Sequence, residues 1–236
     1  MSSPKASRPA ATSPAIAHNS ASDETASRPG RRMEDYAGWA ALRAFRAVAR
    51  FLPGRTALRL GGLFGSVGHA LGVRRQVVLE NLETAFPEWD RSRRRRVARE
   101  ASRNLGRLAV ECMRLPRLSR DRIEAMIDGI DGKENLEAVG GTAKPFIVVT
   151  AHIGNWELMG AYFALRGYRL KVIAKPLHNA LVEKELTATR RAVGFDILYT
   201  REGMKPGLRH LREGGVLAIL ADQDARSQGI AVPFFG

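Results

Sequence analysis

Residues 146–150 read FIVVT and are followed at once by the polar stretch 151–157, AHIGNWE. A short, continuous apolar run rich in β-branched residues is typical of a strand buried in a parallel sheet. Further runs of this kind occupy 170–174, 195–199 and 216–221, and helical segments separate them at 156–166, 180–193 and 205–212. Strands that alternate with helices imply right-handed crossovers. The sequence therefore predicts an α/β fold, with a mainly parallel sheet flanked by helices.

His152 follows the first strand directly, at the edge of the sheet where parallel α/β folds bind ligands. Glu157 lies five residues later, which on one regular helix would place the two side chains about 140° apart. A turn must therefore intervene. Gly154 tolerates unusual backbone angles, and Asn155 suits the N-cap of a helix opening at 156. We expect the side chains of His152 and Glu157 to meet.

Such a pair suits general base catalysis. The imidazole of His152 would take the proton of a substrate hydroxyl, while the Glu157 carboxylate on the other ring nitrogen fixes the tautomer. No enzyme nucleophile is needed, and the chain contains no Gly-x-Ser-x-Gly motif. The alternative is a histidine satisfied by a backbone carbonyl, with Glu157 placed for the helix dipole. His178 and His210 lie in separate segments, so we predict no metal site and no cofactor.

Polar residues also follow the other strands. Asp222 and Gln223 come after the fourth strand and should face the same edge as His152, either ordering the site and binding substrate or capping a loop. Lys175, Asn179 and Arg190 follow the second strand. They either bind a phosphate or form part of a charged helix surface.

The composition favours an anionic partner. The 236 residues carry a formal net charge of +14 with 44% hydrophobic residues, so most of the chain should fold and present a basic surface. Aromatic residues make up only 7%, and no RNA-binding aromatic motif is present, so nucleic acid is not favoured over a bilayer or an acidic carrier. The single cysteine, Cys112, excludes a disulfide framework within the chain.

The amino-terminal third divides into three segments. Residues 1–32 are rich in Ser, Ala, Pro and Thr, without an apolar period or a secretory signal, and are predicted to be disordered. Residues 34–52 have the spacing of an amphipathic basic helix, and the apolar run 60–73 is too short to span a bilayer comfortably. Residues 33–73 are either membrane-associating helices with arginines toward anionic headgroups or two ordinary helices packed on a soluble core.

The remaining chain gives the predicted domain plan. Residues 91–107 contain eight arginines and form either a solvated helix face or a surface for headgroups, nucleic acid or an acidic carrier. Beyond the tail, 33–236 forms one domain: membrane-associating helices to 73, a helical region 74–143 and an α/β core 144–236. The chain ends abruptly at 232–236, VPFFG, so we expect a C-terminally truncated fragment with an incomplete core.

Several elements together resemble the lysophospholipid acyltransferase superfamily, and more narrowly the bacterial lipid A biosynthesis lauroyl/myristoyl acyltransferases. The likeness runs from about residue 36 to the end. It rests on five elements in this order: NLETAFP at 81–87, TAHIGNWE at 150–157, KPLHN at 175–179, Arg190-x-x-x-Gly194, and ADQD at 221–224 with VPFFG at 232–236.

The resemblance implies a glycerol-3-phosphate acyltransferase-like fold and transfer of a fatty acyl group from an acyl carrier protein or CoA thioester to a membrane glycolipid. It implies His152 as the base, Glu157 as its partner, and substrate contacts from Asn155 and Arg190, with Asp222 and Gln223 in a third motif. The family usually has an arginine where Lys175 stands.

The implied location is the cytoplasmic face of the cell inner membrane. Two alternatives remain open. One is acylation of a lysophospholipid or another glycolipid acceptor. The other is a basic protein that binds membranes or nucleic acid without catalysis, in which His152 and Glu157 are structural.

Overall fold

A computed structural model describes residues 29–140 and 144–223, with side chains omitted for 29–32 and 140. Most of the predicted disordered tail, residues 1–28 of 1–32, lies outside the described residues. The part of the family motifs at 224–236 also lies outside them. The first half is helical and the second is α/β. The helices of the first half are α1 (Pro29–Phe51), α2 (Gly54–Ala70), α3 (Arg75–Ala85), α4 (Arg91–Arg114), α5 (Arg120–Glu124) and α6 (Lys133–Gly140).

Helices α2 and α4 cross at very short range because glycines meet at the contact. A side chain at Gly61 or Gly65 of α2 would collide with the backbone of α4, and one at Gly106 of α4 would collide with α2. Ala57 of α2 and Val110 of α4 are fully buried beside this crossing. Backbones can approach this closely only where no Cβ atoms intervene. The glycine face of the apolar run 60–73 is therefore a surface that packs against α4.

Helix α1 is tied to the rest of the molecule near its carboxyl end. Arg114 of α4 donates hydrogen bonds to the carbonyls of Ala49 and Leu52, at the end of α1 where carbonyls lack helical partners. In the same part of α1, Arg46 forms an ion pair of 2.8 Å with Glu185. The basic face of α1 therefore packs partly on protein, and the choice between membrane-associating helices and helices packed on a core stays open.

In the described part of the α/β half, residues 144–223, four parallel strands lie in the order β1-β4-β2-β3. Its elements are β1 (Phe146–Thr150), α7 (Trp156–Leu165), β2 (Leu170–Ala174), α8 (Ala180–Ala192), β3 (Asp196–Tyr199), α9 (Lys205–Arg212) and β4 (Val216–Leu220). Leu170, Phe195, Val216 and Ala218 form a buried cluster in this half. The predicted fold class is confirmed, and the predicted strand positions agree within a residue or two.

The sequence did not indicate the order of the strands. The fourth strand lies between the first two, and Thr150 of β1 is paired with Leu220 of β4. The proposed domain boundaries and the expectation of a truncated core stay predictions. In residues 29–140 and 144–223, none of the helices is both long enough and apolar enough to cross a membrane.

Candidate active site

His152 and Asp222 are joined at the carboxyl edge of the sheet. Asp222 accepts two hydrogen bonds from His152: Oδ2 from the backbone N–H at 2.9 Å, and Oδ1 from the ring Nδ1 at 2.8 Å. The register explains this contact, because each residue stands two positions beyond the paired strand ends Thr150 and Leu220. The ladder also continues past the strands, since the N–H of Ala221 donates to the carbonyl of Thr150 at 2.9 Å.

This geometry lowers the pKa of the Asp222 carboxyl and selects the tautomer of a neutral His152 ring. Desolvation raises the pKa of the Asp222 carboxyl, but the hydrogen bonds from the side chain and backbone of His152 outweigh it and hold the pKa below its ordinary value. A carboxylate at Nδ1 requires the proton on that nitrogen, which leaves the lone pair of a neutral imidazole on Nε2. The ring nitrogen of His152 that faces away from Asp222, Nε2, therefore carries the free lone pair.

Two neighbours complete the surroundings of His152. The indole of Trp156 meets the imidazole edge to face, with ring centroids 4.8 Å apart at 76°. The amide nitrogen of Gln223 lies 3.5 Å from Nδ1, but with the proton on Nδ1 both atoms are donors, so this contact is not a hydrogen bond. The side chains of His152 and Asp222 are about one-third exposed, so the pair is open to an incoming substrate.

Glu157 is paired with Arg190 instead of His152. The Arg190 Nη2 and Nε donate to the carboxylate at 2.6 Å and 3.0 Å, and Glu157 is only 7% exposed. Burial lowers the pKa of the Arg190 guanidinium, but the hydrogen bonds and charge of Glu157 raise it by more, so the guanidinium stays protonated. The expected contact between His152 and Glu157 is thus wrong, because a buried arginine binds the glutamate and the register brings Asp222 to the histidine.

Cys112 of α4 lies near this ion pair but is unsuited to nucleophilic chemistry. Burial and the negative charge of Glu157 raise the pKa of its thiol to about 12. The thiolate is the reactive form of cysteine, so Cys112 is unreactive near neutral pH.

Two residues expected to bind substrate hold the fold together. Asn155 is the N-cap of α7: its Oδ1 accepts from the N–H of Leu158 at 2.9 Å, and its Nδ2 donates to Glu111 at 2.7 Å. Asn179 is the N-cap of α8, and its Nδ2 donates to the carbonyl of Asp35 at 2.9 Å. Both side chains are occupied, which argues against direct substrate contact through them.

The other two candidates, Lys175 and Arg190, lie after β2 and in α8. Lys175 is exposed just beyond β2, the strand next to β4, and its role as a phosphate contact stays a prediction. Arg190 directs its Nε and Nη2 to Glu157, so those donors are not available to a phosphate.

The histidines outside the site stand apart from it. His178 is exposed, and buried His210 is bonded through Nε2 to the carbonyl of Arg169 at 2.8 Å. In the part of the chain that the structure describes, no three His, Cys, Asp or Glu side chains come together as metal ligands. The expectation of chemistry without a metal or cofactor stays a prediction.

A cavity of about 660 Å³ lies along α8, and His152 is not among its lining residues. Glu183 and Tyr199 are hydrogen-bonded at 2.8 Å inside it, and Lys184 and Arg201 contribute positive charge to its lining. It borders the loop that follows β2, so it adjoins the carboxyl edge of the sheet.

Sequence reasoning missed Glu111 and Trp156 as parts of the site. Trp156 lies within the predicted motif, and the turn expected at 154–155 could have indicated its contact with His152. Glu111 carries no sequence signal, because nothing in an arginine-rich helix indicates that its last turn meets a residue 44 positions away.

The fold and the site define an α/β protein class in which a histidine–carboxylate pair stands at the carboxyl edge of a parallel sheet. Comparison with known proteins narrows this class. The chain belongs to the bacterial lipid A biosynthesis acyltransferase family, whose model matches residues 25–236.

Named relatives agree with this membership. The chain is 26% identical over 194 residues to a lipid A biosynthesis acyltransferase of Haemophilus influenzae, which covers 81% of this chain and 61% of that protein. It is 26% identical over 136 residues to a phosphatidylinositol mannoside acyltransferase of Mycobacterium tuberculosis, covering 56% and 43%. A protein of that name from Mycolicibacterium smegmatis is 24% identical over 130 residues, covering 53% and 42%. The chain thus spans about three-fifths or less of the length of these relatives.

Proposed function

We propose that this protein transfers a fatty acyl group from an acyl carrier protein or CoA thioester to a hydroxyl of a membrane glycolipid, in lipid A-type biosynthesis. The observation that carries the proposal is the hydrogen-bonded pair of His152 and Asp222, open at the edge of the sheet. Membership of an acyltransferase family supports the chemistry, and two types of glycolipid-modifying enzyme among the relatives support the class of acceptor.

The proposed reaction begins with proton transfer to His152. As Nε2 takes the proton of the acceptor hydroxyl, the oxygen attacks the thioester carbonyl and forms a tetrahedral intermediate. Its collapse breaks the carbon–sulfur bond, and the imidazolium returns the proton to the departing thiolate. Asp222 stabilises the imidazolium through Nδ1. The products are an ester and a free thiol.

Glu157 and Arg190 have a supporting role in this proposal. Their ion pair joins the first turn of α7 to the last turn of α8, across the helices that flank the site. Glu157 would then affect catalysis by holding α7 in place. Substrate phosphates would meet Lys175, which is exposed at the same edge.

A membrane location fits the surface formed by α1 and α2. Large apolar side chains are exposed there, and we name this the α1–α2 apolar surface: Val48, Phe51, Leu63, Phe64, Val67 and Leu71. Arg50 lies over the Phe51 ring at 5.6 Å, so a cation accompanies the apolar groups. Apolar side chains beside arginines suit the headgroup region of an anionic bilayer, at the cytoplasmic face of the inner membrane.

The acceptor has a second candidate. The phosphatidylinositol mannoside acyltransferases among the relatives favour a mannosylated phosphoinositide, or another glycolipid, as the alternative to a lipid A precursor. Full-length protein with acyl-carrier-protein thioester and each acceptor in turn, read by lipid mass spectrometry, decides between them.

The same assay tests the chemistry itself. His152→Ala should abolish transfer, and His178→Ala, at an exposed histidine of the same edge, should leave the rate near wild type. An unchanged rate for His152→Ala would refute the proposal. Binding of DNA or anionic vesicles without any turnover would favour the non-catalytic alternative.

A further inference from the structure

Both ends of the Asn155 amide are held by the protein. Its oxygen accepts the N–H of Leu158 in the first turn of α7, and its nitrogen donates to Oε2 of Glu111 over 2.7 Å. Glu111 lies in the last turn of α4, in the helical half of the molecule. The side chains of Glu111 and Asn155 are half-buried.

A carboxylate at this position selects one orientation of the amide. A carboxylate only accepts hydrogen bonds, whereas an amide has a donor end and an acceptor end. Glu111 therefore attracts the Asn155 nitrogen and leaves the oxygen for Leu158. The reversed amide would place its oxygen against the carboxylate and its nitrogen against the N–H of Leu158, which loses both hydrogen bonds.

The first residue of α7 carries this effect to the catalytic histidine. Trp156 follows Asn155 directly, and its indole meets the His152 ring edge to face at 4.8 Å. The imidazole thus has Asp222 at Nδ1 and Trp156 against its ring. Fixing the start of α7 fixes one of these two contacts.

We propose that Glu111 is a positioning residue for acyl transfer. Through Asn155 it fixes the start of α7 and the Trp156 indole, and so the orientation of the His152 imidazole. The inference rests on the proposed function, because it assigns Glu111 a part in the same reaction. Glu111 itself touches neither substrate nor the reacting atoms. Small displacements of a catalytic base reduce the rate of the chemical step strongly.

The test compares kcat and KM of the full-length protein with its Glu111→Ala, Glu111→Gln and Asn155→Ala variants. We expect Glu111→Ala to lower kcat on the order of 10-fold with KM for the thioester unchanged. Glu111→Gln should recover most of the rate, because its amide oxygen can accept the same bond. Glu111→Ala combined with Asn155→Ala should be no slower than Asn155→Ala alone, because that variant already lacks the bond between the two residues as well as the cap to Leu158.

The matched control lies on the same helix. Glu100 is half-exposed. Among the ion pairs of the described residues, its only partner is Arg103, at 3.7 Å on the same helix. Glu100→Ala should therefore keep the wild-type rate. A kcat of Glu111→Ala equal to wild type would overturn the inference. So would additive losses in the double variant, or a loss that Glu111→Gln does not restore.

A second readout separates this inference from the proposed function. The rate at which diethyl pyrocarbonate modifies His152, followed by peptide mass spectrometry, reports the imidazole without any turnover. We expect this rate to change in Glu111→Ala and to return toward wild type in Glu111→Gln. An inactive wild-type protein would refute the acyltransferase proposal, whereas an identical modification rate in wild type and Glu111→Ala would refute the role of Glu111.

Discussion

His152 and Asp222 stand opposite one another across two neighbouring strands, each two residues beyond a paired strand end. They are 70 residues apart in the chain, and the register of β1 and β4 alone brings them together. The carboxylate that orients His152 is therefore supplied from the end of the neighbouring strand. Glu157, the carboxylate nearer in the chain, pairs with Arg190.

Replacing Asp222 by Asn should reduce kcat by about 10²- to 10⁴-fold, because an amide at Nδ1 neither enforces the tautomer nor stabilises the imidazolium. Steady-state kinetics with an acyl thioester and the glycolipid acceptor measure this. Asp131→Asn, at an exposed residue of the helical half, serves as the control and should keep the wild-type rate. An Asp222→Asn protein with more than half of the wild-type kcat would exclude the assigned pairing.

Stability should depend on pH through Asp222. The folded-state pKa of its carboxyl lies below the ordinary value of about 3.9, so its ionised form stabilises the fold above that pH. The stabilisation should be lost as the pH falls through the folded-state pKa. We therefore expect the difference in melting temperature between wild type and Asp222→Asn to be steady near neutrality and to shrink below about pH 4. A difference that persists undiminished to about pH 2 would contradict this assignment.

Removing Arg190 should destabilise the protein by about 3–5 kcal/mol, because the buried Glu157 carboxylate would lose its counter-charge. Urea denaturation of Arg190→Met measures the loss in free energy of unfolding. Adding Glu157→Gln to that variant should recover part of it, because the double variant no longer buries an unpaired charge. A double variant less stable than Arg190→Met would show that the charge is not the cause.

The crossing of α2 and α4 should tolerate no added methyl group. Gly106→Ala should lower the free energy of unfolding by about 1–3 kcal/mol, because its Cβ would meet the backbone of α2. Gly68→Ala is the matched control: nothing lies near its added Cβ, so it should raise stability by about 0.5–1 kcal/mol through helix propensity. Equal effects of the two substitutions, measured by thermal or urea denaturation, would disprove the close crossing.

Binding to anionic vesicles should weaken when the α1–α2 apolar surface is made polar. Phe51 and Leu71 are 80% and 79% exposed, and the double variant Phe51→Ser/Leu71→Ser should bind at least about 10-fold more weakly in a flotation assay. Met204→Ser, at an exposed apolar residue beside α9, should bind as wild type. If Met204→Ser weakens binding as much as the double variant, the α1–α2 apolar surface is not the contact.

The sequence predicted the positions of the strands well because their apolar runs are continuous and end abruptly in polar residues. It did not predict their order, since nothing in the run 216–221 states that it lies between β1 and β2. Without the strand order, the sequence could not show which carboxylate lies beside His152. Proximity in the chain favoured Glu157 as the partner of His152, whereas proximity in the sheet selects Asp222.

The supporting contacts were harder still to predict. Asn155 was correctly expected as an N-cap, but its donor end is satisfied by Glu111, which lies on another helix. Arg190 was predicted to be a phosphate contact, but it is buried against the Glu157 carboxylate. Charge and spacing in a sequence do not show which arginine will be buried in this way. Such assignments depend on tertiary packing, which a single sequence does not display.

The place of β4 in the sheet also bears on folding. It is the last of the four described strands in the chain, yet β1 and β2 reach each other only through it. These pairings join residues far apart in sequence, so closing them is a late and slow event in folding. His152 and Asp222 can therefore meet only after β4 has been inserted between β1 and β2, and the onset of the proposed acyl transfer during refolding would report that insertion.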